Sequence, residues 1–246
     1  MSSRMRRLAL AAGLVTLAAQ SASAQNLAVY GAAEAAGFGE GSAILGASLT
    51  PGVLGLNWLV SANVQTFRYR DLSLASTPGS SGFSQRVAFN PNVGVQYRTP
   101  VGALSGTVGY NFVSGDVAGV SQVGAPGGGE NSPVVGAQAL YWGGIFEHSG
   151  IVSYATTPEY LWSRARLAAR PMPMTPVYVG GEFVAQGGSR YGYRYQAGPT
   201  LNVHVTPNFH AGINGGVRWN TAPAGVNDTY PKSGYVGVSF LALSVF

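Results

Sequence analysis

Hydrophobic and polar residues alternate along much of the chain, most regularly between Tyr191 and Val205. One row of alternate residues is Tyr191, Tyr193, Tyr195, Ala197, Pro199, Leu201, Val203 and Val205. The row between them is Gly192, Arg194, Gln196, Gly198, Thr200, Asn202 and His204. Side chains of a β-strand point alternately to opposite faces, so the segment predicts a strand with one apolar and one polar face. This pattern fits a soluble sandwich as well as a barrel in a membrane.

The same reading along the chain predicts an all-β fold of about twelve strands. The predicted strands are 26–37, 42–50, 56–69, 84–98, 102–114, 133–145, 150–157, 160–170, 175–187, 191–205, 209–220 and 233–246. Alternation is clear in the third, fourth, fifth, eighth, tenth and eleventh. The first, second, sixth and seventh are rich in Ala and Gly, so a count of ten strands is the alternative. Several of these segments have about the ten residues that a tilted membrane strand needs.

The connections between these strands fall into two classes. The three longest, Asp71–Phe83, Gly115–Ser132 and Thr221–Lys232, all follow odd-numbered strands. Short turns that contain proline follow even-numbered strands, at 50–52, 99–100, 171–173 and 206–208. A membrane barrel whose termini face the periplasm has long outer loops and short inner turns in this order. The connections therefore favour twelve strands in a single antiparallel barrel.

The N-terminus has the three parts of a secretory signal peptide. Arg4, Arg6 and Arg7 form a positive start, Leu8 to Ala19 is apolar, and Ala22-Ser23-Ala24 is a small-residue cleavage site. The apolar run is shorter than the roughly 20 residues that a spanning helix requires. We therefore predict removal of residues 1–24, which leaves residues 25–246 as one barrel domain. An exported barrel would lie in the bacterial outer membrane, surrounded by its lipid.

Composition supports export and argues against a nucleic-acid partner. Without the three signal arginines the chain has 11 basic and 9 acidic residues, and no run of adjacent basic side chains. Charged residues make up only 9% of the sequence, well below the roughly 25% of soluble domains. The chain has no cysteine, which excludes disulfides and thiolate metal sites.

The end of the chain resembles the signature of Gram-negative outer-membrane β-barrel proteins, whose last strand finishes in phenylalanine. Here the last predicted strand ends in Phe246. In that family the terminal aromatic residue belongs to the signal that the outer-membrane assembly machinery reads. Ser244 and Ala242 stand where the family has apolar residues. The resemblance implies a transmembrane barrel and assembly through Phe246.

Most charged residues of the predicted strands lie in the polar rows. They are Arg86, Arg98, Arg164, Arg166, Arg170, Arg194 and Arg218, with Glu182 and Glu34. A charge facing lipid costs roughly 2–4 kcal/mol at the midplane, so these side chains are predicted to face the lumen. They either form internal salt bridges, with Glu182 as the natural partner, or line a narrow pore that favours small anionic solutes. Both interpretations remain open at this stage. Most of the other acids, among them Glu40, are expected in or beside outer loops.

The sequence predicts neither an enzyme nor a cofactor or metal site. His148 and Ser149 are adjacent, but they fall in a predicted inner turn with Glu147, which suits a lipid-cleaving enzyme poorly. His204 and His210 flank a turn and are expected to point inward without a third ligand or a nearby carboxylate. A structural membrane protein or a narrow channel is therefore the primary expectation.

Three segments resemble the C-terminal half of the cellulose-biosynthesis accessory barrel BcsS. They are Tyr160 to Leu167, Gly180 to Glu182 and Tyr193 to Gly198. The resemblance implies an accessory role in exopolysaccharide secretion, with polysaccharide as a partner, and this is the alternative function.

Overall fold

The computed structural model describes residues 26–70, 83–113, 131–156, 159–188, 192–221 and 232–245. These residues form twelve antiparallel strands, as predicted, and one short 3-10 turn at Gly37–Gly39 between β1 and β2. The strands are β1 Asn26–Ala36, β2 Glu40–Thr50, β3 Gly55–Arg70, β4 Phe83–Thr99, β5 Gly102–Val113, β6 Ser132–Tyr141, β7 Phe146–Ala155, β8 Tyr160–Ala169, β9 Val177–Gly188, β10 Gly192–Thr206, β11 Phe209–Asn220 and β12 Ser233–Val245. The predicted signal peptide, residue Phe246 and most of the three long connections lie outside the described residues. Within the part of the chain that is described, no helix has the length and apolarity to cross a membrane.

Each strand pairs with its sequence neighbours, and the sheet closes on itself because β1 also pairs with β12. This closing pair runs from Asn26 opposite Val245 to Ala36 opposite Tyr235. Closure leaves no strand edge with unpaired backbone groups, which is what a sheet surrounded by hydrocarbon requires.

The two ends of the barrel differ in their connections. The turn end holds the start of β1, the end of β12 and the short turns 51–54, 100–101, 142–145, 170–176 and 207–208. The loop end holds the connections that follow odd-numbered strands, including the three long ones. The predicted alternation of long and short connections is therefore confirmed.

One boundary prediction was wrong. The sixth predicted strand was extended to residue 145, but β6 ends at Tyr141 and a turn follows, with Gly144 at a φ of 65°. A left-handed glycine allows this tight turn between two strands. Strand β7 consequently begins at Phe146, so Glu147, His148 and Ser149 are strand residues and not turn residues. The Glu147 side chain lies inside the barrel as a result.

The outer surface of the barrel is apolar and carries two girdles of aromatic side chains. Towards the turn end these are Trp58, Tyr97, Tyr141, Trp142, Phe146 and Phe209; towards the loop end they are Phe89, Tyr110, Phe112, Tyr154, Phe183, Tyr193, Tyr195 and Trp219. Between the girdles the outward row is mostly aliphatic, with Val60, Val93, Val108, Val135, Leu167, Val179 and Ile213. An apolar band between two aromatic girdles is the surface of a barrel that sits in a bilayer.

Inward-facing glycines allow neighbouring strands to approach closely on one side of the barrel. A Cβ on Gly180 would lie 1.9 Å from the Leu167 carbonyl oxygen, and one on Gly198 would lie 1.9 Å from the Gly215 carbonyl oxygen. No side chain fits at such distances without displacing the backbone. These glycines therefore permit strong local curvature of the sheet.

Replacing Gly180 with alanine is expected to destabilise the folded barrel by about 1–3 kcal/mol, because the added methyl group must displace the β8 backbone. Urea titration in lipid vesicles, read by the shift in gel migration between heated and unheated samples, measures the effect. Gly106→Ala is the matched control, since a Cβ there meets no atom within 4 Å. Equal unfolding midpoints for the two variants would contradict the role assigned to Gly180.

Candidate functional site

The inward-facing row of side chains makes the lumen, and its two halves differ in chemistry. The charged wall comprises the inward residues of β7–β12, β1 and β2, together with Arg170 directly after β8. Its charged residues are Glu34, Glu40, Glu147, Glu182, Arg164, Arg166, Arg170, Arg194 and Arg218. The amide wall comprises the inward residues of β3–β6, and its described inward charges are Arg86 and Arg98, both on β4. Neutral residues such as Asn63, Gln65, Asn90, Asn92, Gln96 and Gln138 supply most of its polar groups.

Glu182 is the centre of the charged wall. Its carboxylate accepts hydrogen bonds from Arg164 (Nε–Oε2 2.6 Å), Arg166 (Nη2–Oε2 2.9 Å) and Asn214 (Nδ2–Oε1 2.8 Å). The Glu182 side chain is 1% exposed, so three donors replace the water that it loses. Arg166 also donates to Asn202 at 3.0 Å. The cluster therefore joins four consecutive strands, β8 to β11.

The glycines of the charged wall make this arrangement possible. Glu182 stands directly opposite Gly198 on β10, yet its carboxylate binds Asn214 on the next strand, β11. A side chain at position 198 would lie between the carboxylate of Glu182 and the amide of Asn214. Glycine at this position therefore serves two purposes, since it also permits the curvature described above.

A second cluster lies towards the loop end. The Arg194 Nη2 atom is 3.3 Å from Glu40 Oε2, and Arg194 Nε donates to Asn220 Oδ1 at 3.2 Å. Arg218, whose side chain is 2% exposed, contacts both Glu40 and Glu34. Glu40 lies beside a loop-end connection, as expected, because it follows the turn Gly37–Gly39 as the first residue of β2, and its side chain faces inward.

These loop-end contacts span the interior of the barrel. Arg194 is on β10 and Glu40 is on β2, which are four positions apart in the ring of twelve strands. The pair therefore bridges a third of the circumference and occupies the space in front of β11, β12 and β1. The lumen that remains lies towards the amide wall.

A third cluster lies towards the turn end. His204 Nε2 is 2.9 Å from Glu147 Oε2, and Asn202 donates to Glu147 Oε1 at 3.4 Å. Glu147 reaches them from β7 over the small residues Ala168 and Gly180, which follow it in register on β8 and β9. The expectation that the histidines have no nearby carboxylate was wrong, because Glu147 had been assigned to a turn.

Aromatic and cationic groups complete the turn-end cluster. The His204 ring stacks on His210 with a centroid distance of 3.7 Å and on Tyr178 at 4.7 Å. Arg170 lies over the Tyr178 ring, with its guanidinium carbon 4.9 Å from the centroid, and also contacts the Tyr178 hydroxyl. Among the described residues, no group of three His, Cys, Asp or Glu side chains is placed to hold a metal ion.

The two remaining arginines lie on β4, near opposite ends of the amide wall. Arg86 is 3% exposed and stands opposite Phe67 in the loop-end half. Arg98 is half-buried, lies at the turn end, and has no carboxylate within salt-bridge distance in the described part of the chain. Four of the predicted lumen arginines therefore contact glutamates, namely Arg164, Arg166, Arg194 and Arg218. Arg98 contacts none among the described residues.

The amide wall has its own hydrogen bonds. Asn63 Oδ1 accepts from Gln65 at 2.8 Å and from Asn90 at 3.0 Å, and Asn92 donates to the Asn90 carbonyl oxygen at 3.1 Å. Most of these side chains are only half-buried. The interior is therefore not completely filled by protein atoms on this side.

Comparison with known proteins finds only distant structural likenesses. No protein-family model matches the chain, and no curated protein matches it. Solved structures with a similar fold include the KdgM porin, at 9% sequence identity and a TM-score of 0.49 over 87% of this chain and 98% of that chain. The TodX deltaS2S3 mutant monoaromatic hydrocarbon channel matches at 7% identity and a TM-score of 0.49, covering 92% and 91% of the two chains. A Pseudomonas aeruginosa FadL homologue matches at 9% identity and a TM-score of 0.43, covering 89% of each. The function of this chain must therefore be argued from its own residues.

Replacing Glu182 with glutamine is expected to destabilise the barrel by about 3–5 kcal/mol, since Arg164 and Arg166 lose their common counter-charge in a buried position. Urea unfolding in lipid vesicles, followed by tryptophan fluorescence, gives the change in free energy. Glu159→Gln is the control, because Glu159 is exposed at the loop end. A change below 1 kcal/mol would show that Glu182 does not hold the charged wall together.

Proposed function

We propose that this protein is a bacterial outer-membrane channel that conducts small hydrophilic solutes and favours anions. The observation that carries the proposal is the pairing of an apolar outer band with a polar lumen that protein atoms do not fill. Small barrels of eight strands just fill with side chains, whereas sixteen strands leave a wide aqueous channel. Twelve strands with one side occupied by ion pairs leave a narrow passage.

The location follows from the outer surface. The outward-facing valines, leucines and aromatic rings would expose a continuous apolar surface to water, which soluble monomers avoid. A bilayer covers this surface, and the two aromatic girdles match its two interfaces. In the proposed orientation the turn end faces the periplasm and the loop end faces the exterior.

The preference for anions follows from the charges of the lumen. Seven arginines and four glutamates face inward among the described residues. Five of the arginines share the charged wall with all four glutamates, whereas the amide wall holds the other two arginines and no acid among its described inward residues. Arg98, which has no carboxylate within salt-bridge distance among the described residues, lies beside the open part of the lumen, where its positive charge attracts anions.

An enzymatic function is not proposed. His148 is exposed on the outer surface and packs against Tyr141 at a ring distance of 4.7 Å, whereas Ser149 faces inward. A nucleophile and its base must lie within hydrogen-bonding reach of each other, and these two residues lie on opposite faces of β7.

A role in exopolysaccharide secretion is the second candidate function. One observation favours it: the three segments that resemble BcsS lie on β8, β9 and β10, and they contain Arg164, Arg166, Glu182 and Arg194. The resemblance therefore coincides with the ion-paired clusters and not with surface loops.

The channel is tested with protein extracted from the outer-membrane fraction and reconstituted in planar bilayers under a KCl gradient. We expect conductance steps and a reversal potential that shows chloride to be more permeant than potassium. Arg98→Gln should lower the chloride-to-potassium permeability ratio by about two- to fivefold, the effect of one partly screened charge. The control Arg68→Gln removes an exposed arginine from the outward row of β3 and should leave the ratio unchanged. Absence of any conductance would remove the channel function.

The second candidate predicts a different outcome in the cell. A deletion strain should lose surface exopolysaccharide, measured by dye binding and sugar analysis, and a plasmid copy should restore it. Unchanged exopolysaccharide in the deletion strain would exclude the accessory role and leave the channel proposal intact.

A further inference from the structure

The turn-end half of the amide wall contains polar groups that have no hydrogen-bond partner among the described residues. Gln96 on β4 and Gln138 on β6 face the lumen and are half-buried. Neither side chain makes a hydrogen bond among the described residues, in contrast to Asn63, Gln65 and Asn90. Each therefore presents one carbonyl acceptor and two N–H donors to the lumen.

The register of the strands brings these groups together. Gln96 stands opposite Ser105 on β5, and Ser105 stands opposite Gln138 on β6. The two glutamines are thus two strands apart in one row, about 10 Å between their backbones. Arg98 is two residues beyond Gln96 on the same face, so its guanidinium is on the turn-end side of the glutamines.

The neighbouring row towards the loop end consists of small residues. It contains Gly94, Thr107 and Gly136 in register on β4, β5 and β6. A Cβ on Gly94 would lie 2.0 Å from the Gly106 carbonyl oxygen, and one on Gly136 would lie 2.9 Å from the Thr107 hydroxyl. The strand backbones therefore pack closely here, and this row carries no side chain longer than threonine beside the two glutamines.

We infer that Gln96, Gln138 and Arg98 form a binding site for small carboxylates that carry several hydroxyl groups, such as sugar acids. A guanidinium binds a carboxylate by paired hydrogen bonds. Primary amides match hydroxyl groups, because both kinds of group donate and accept. Chloride gains only from the charge of Arg98, whereas a polyhydroxylated anion also gains from the two amides. The inference rests on the proposed channel and names the class of solute that it selects.

The site suits passage as well as binding. Exposed amide–hydroxyl hydrogen bonds exchange with water and contribute on the order of 1 kcal/mol each. A few such bonds and one half-buried arginine give weak, reversible binding, which conduction requires. The glutamates of the charged wall, by contrast, are already engaged by arginine or histidine side chains.

The test compares gluconate with 2-(N-morpholino)ethanesulfonate, an anion of closely similar mass without a row of hydroxyl groups. Calorimetry in detergent measures binding, and bilayer recording in KCl measures block or permeation by each anion. We expect gluconate to bind the unaltered protein about tenfold more tightly than the sulfonate. The double variant Gln96→Met and Gln138→Met should remove this difference and keep the KCl conductance. The variant Arg98→Gln should weaken the binding of both anions.

Two controls keep the outcomes distinct. Gln186→Met alters a lumen glutamine on β9 that already accepts a hydrogen bond from Tyr160 at 3.2 Å, and should leave gluconate binding unchanged. Heat-dependent gel migration shows that each variant is folded. Normal KCl conductance with equal binding of the two anions would overturn the site and leave the channel standing. Selective gluconate binding without KCl conductance would support the site and overturn the channel.

Discussion

The structure depends on one constraint, which is that a strand in hydrocarbon must have both of its edges paired. The pairing of β1 with β12 meets this constraint by closing the sheet. Once the sheet is closed, every strand has an outer and an inner face, and the cost of a charge in lipid sends arginine and glutamate inward. The apolar band, the aromatic girdles and the charged lumen all follow from closure together with the two-residue period of the strands.

The charged side chains inside the barrel lie next to groups that offset the free-energy cost of removing them from water. Glu182, the most buried acid among the described residues, accepts hydrogen bonds from two arginines and one asparagine. Such a cluster needs side chains from several strands to meet, and Gly180 and Gly198 provide the room. The same glycines bring the strand backbones close together. The same glycines therefore permit both the curvature of the charged wall and the ion pairs within it.

The strand order and the two classes of connection could be predicted because they depend on local signals: alternation, proline at turns and long polar connections. The start of β7 could not, since the apolar residues from Tyr141 to Phe146 continue the pattern of β6 through a glycine turn. That one error concealed Glu147 and its contact with His204. The contact of Arg194 with Glu40 was hidden for another reason. It joins strands four positions apart in the ring, and no local pattern encodes such a distance.

The division of the lumen into two walls suggests why a narrow barrel carries so many charges. A lumen lined evenly with arginine would hold anions too firmly to release them, and one lined with ion pairs alone would offer no attraction. Here the paired groups occupy one side, where they stabilise the barrel and reduce its free cross-section. In the proposed channel, the solute would pass on the side where neutral amides and one half-buried arginine make only weak contacts. In the proposed channel, stability and conduction therefore depend on different strands, so either could change with little effect on the other.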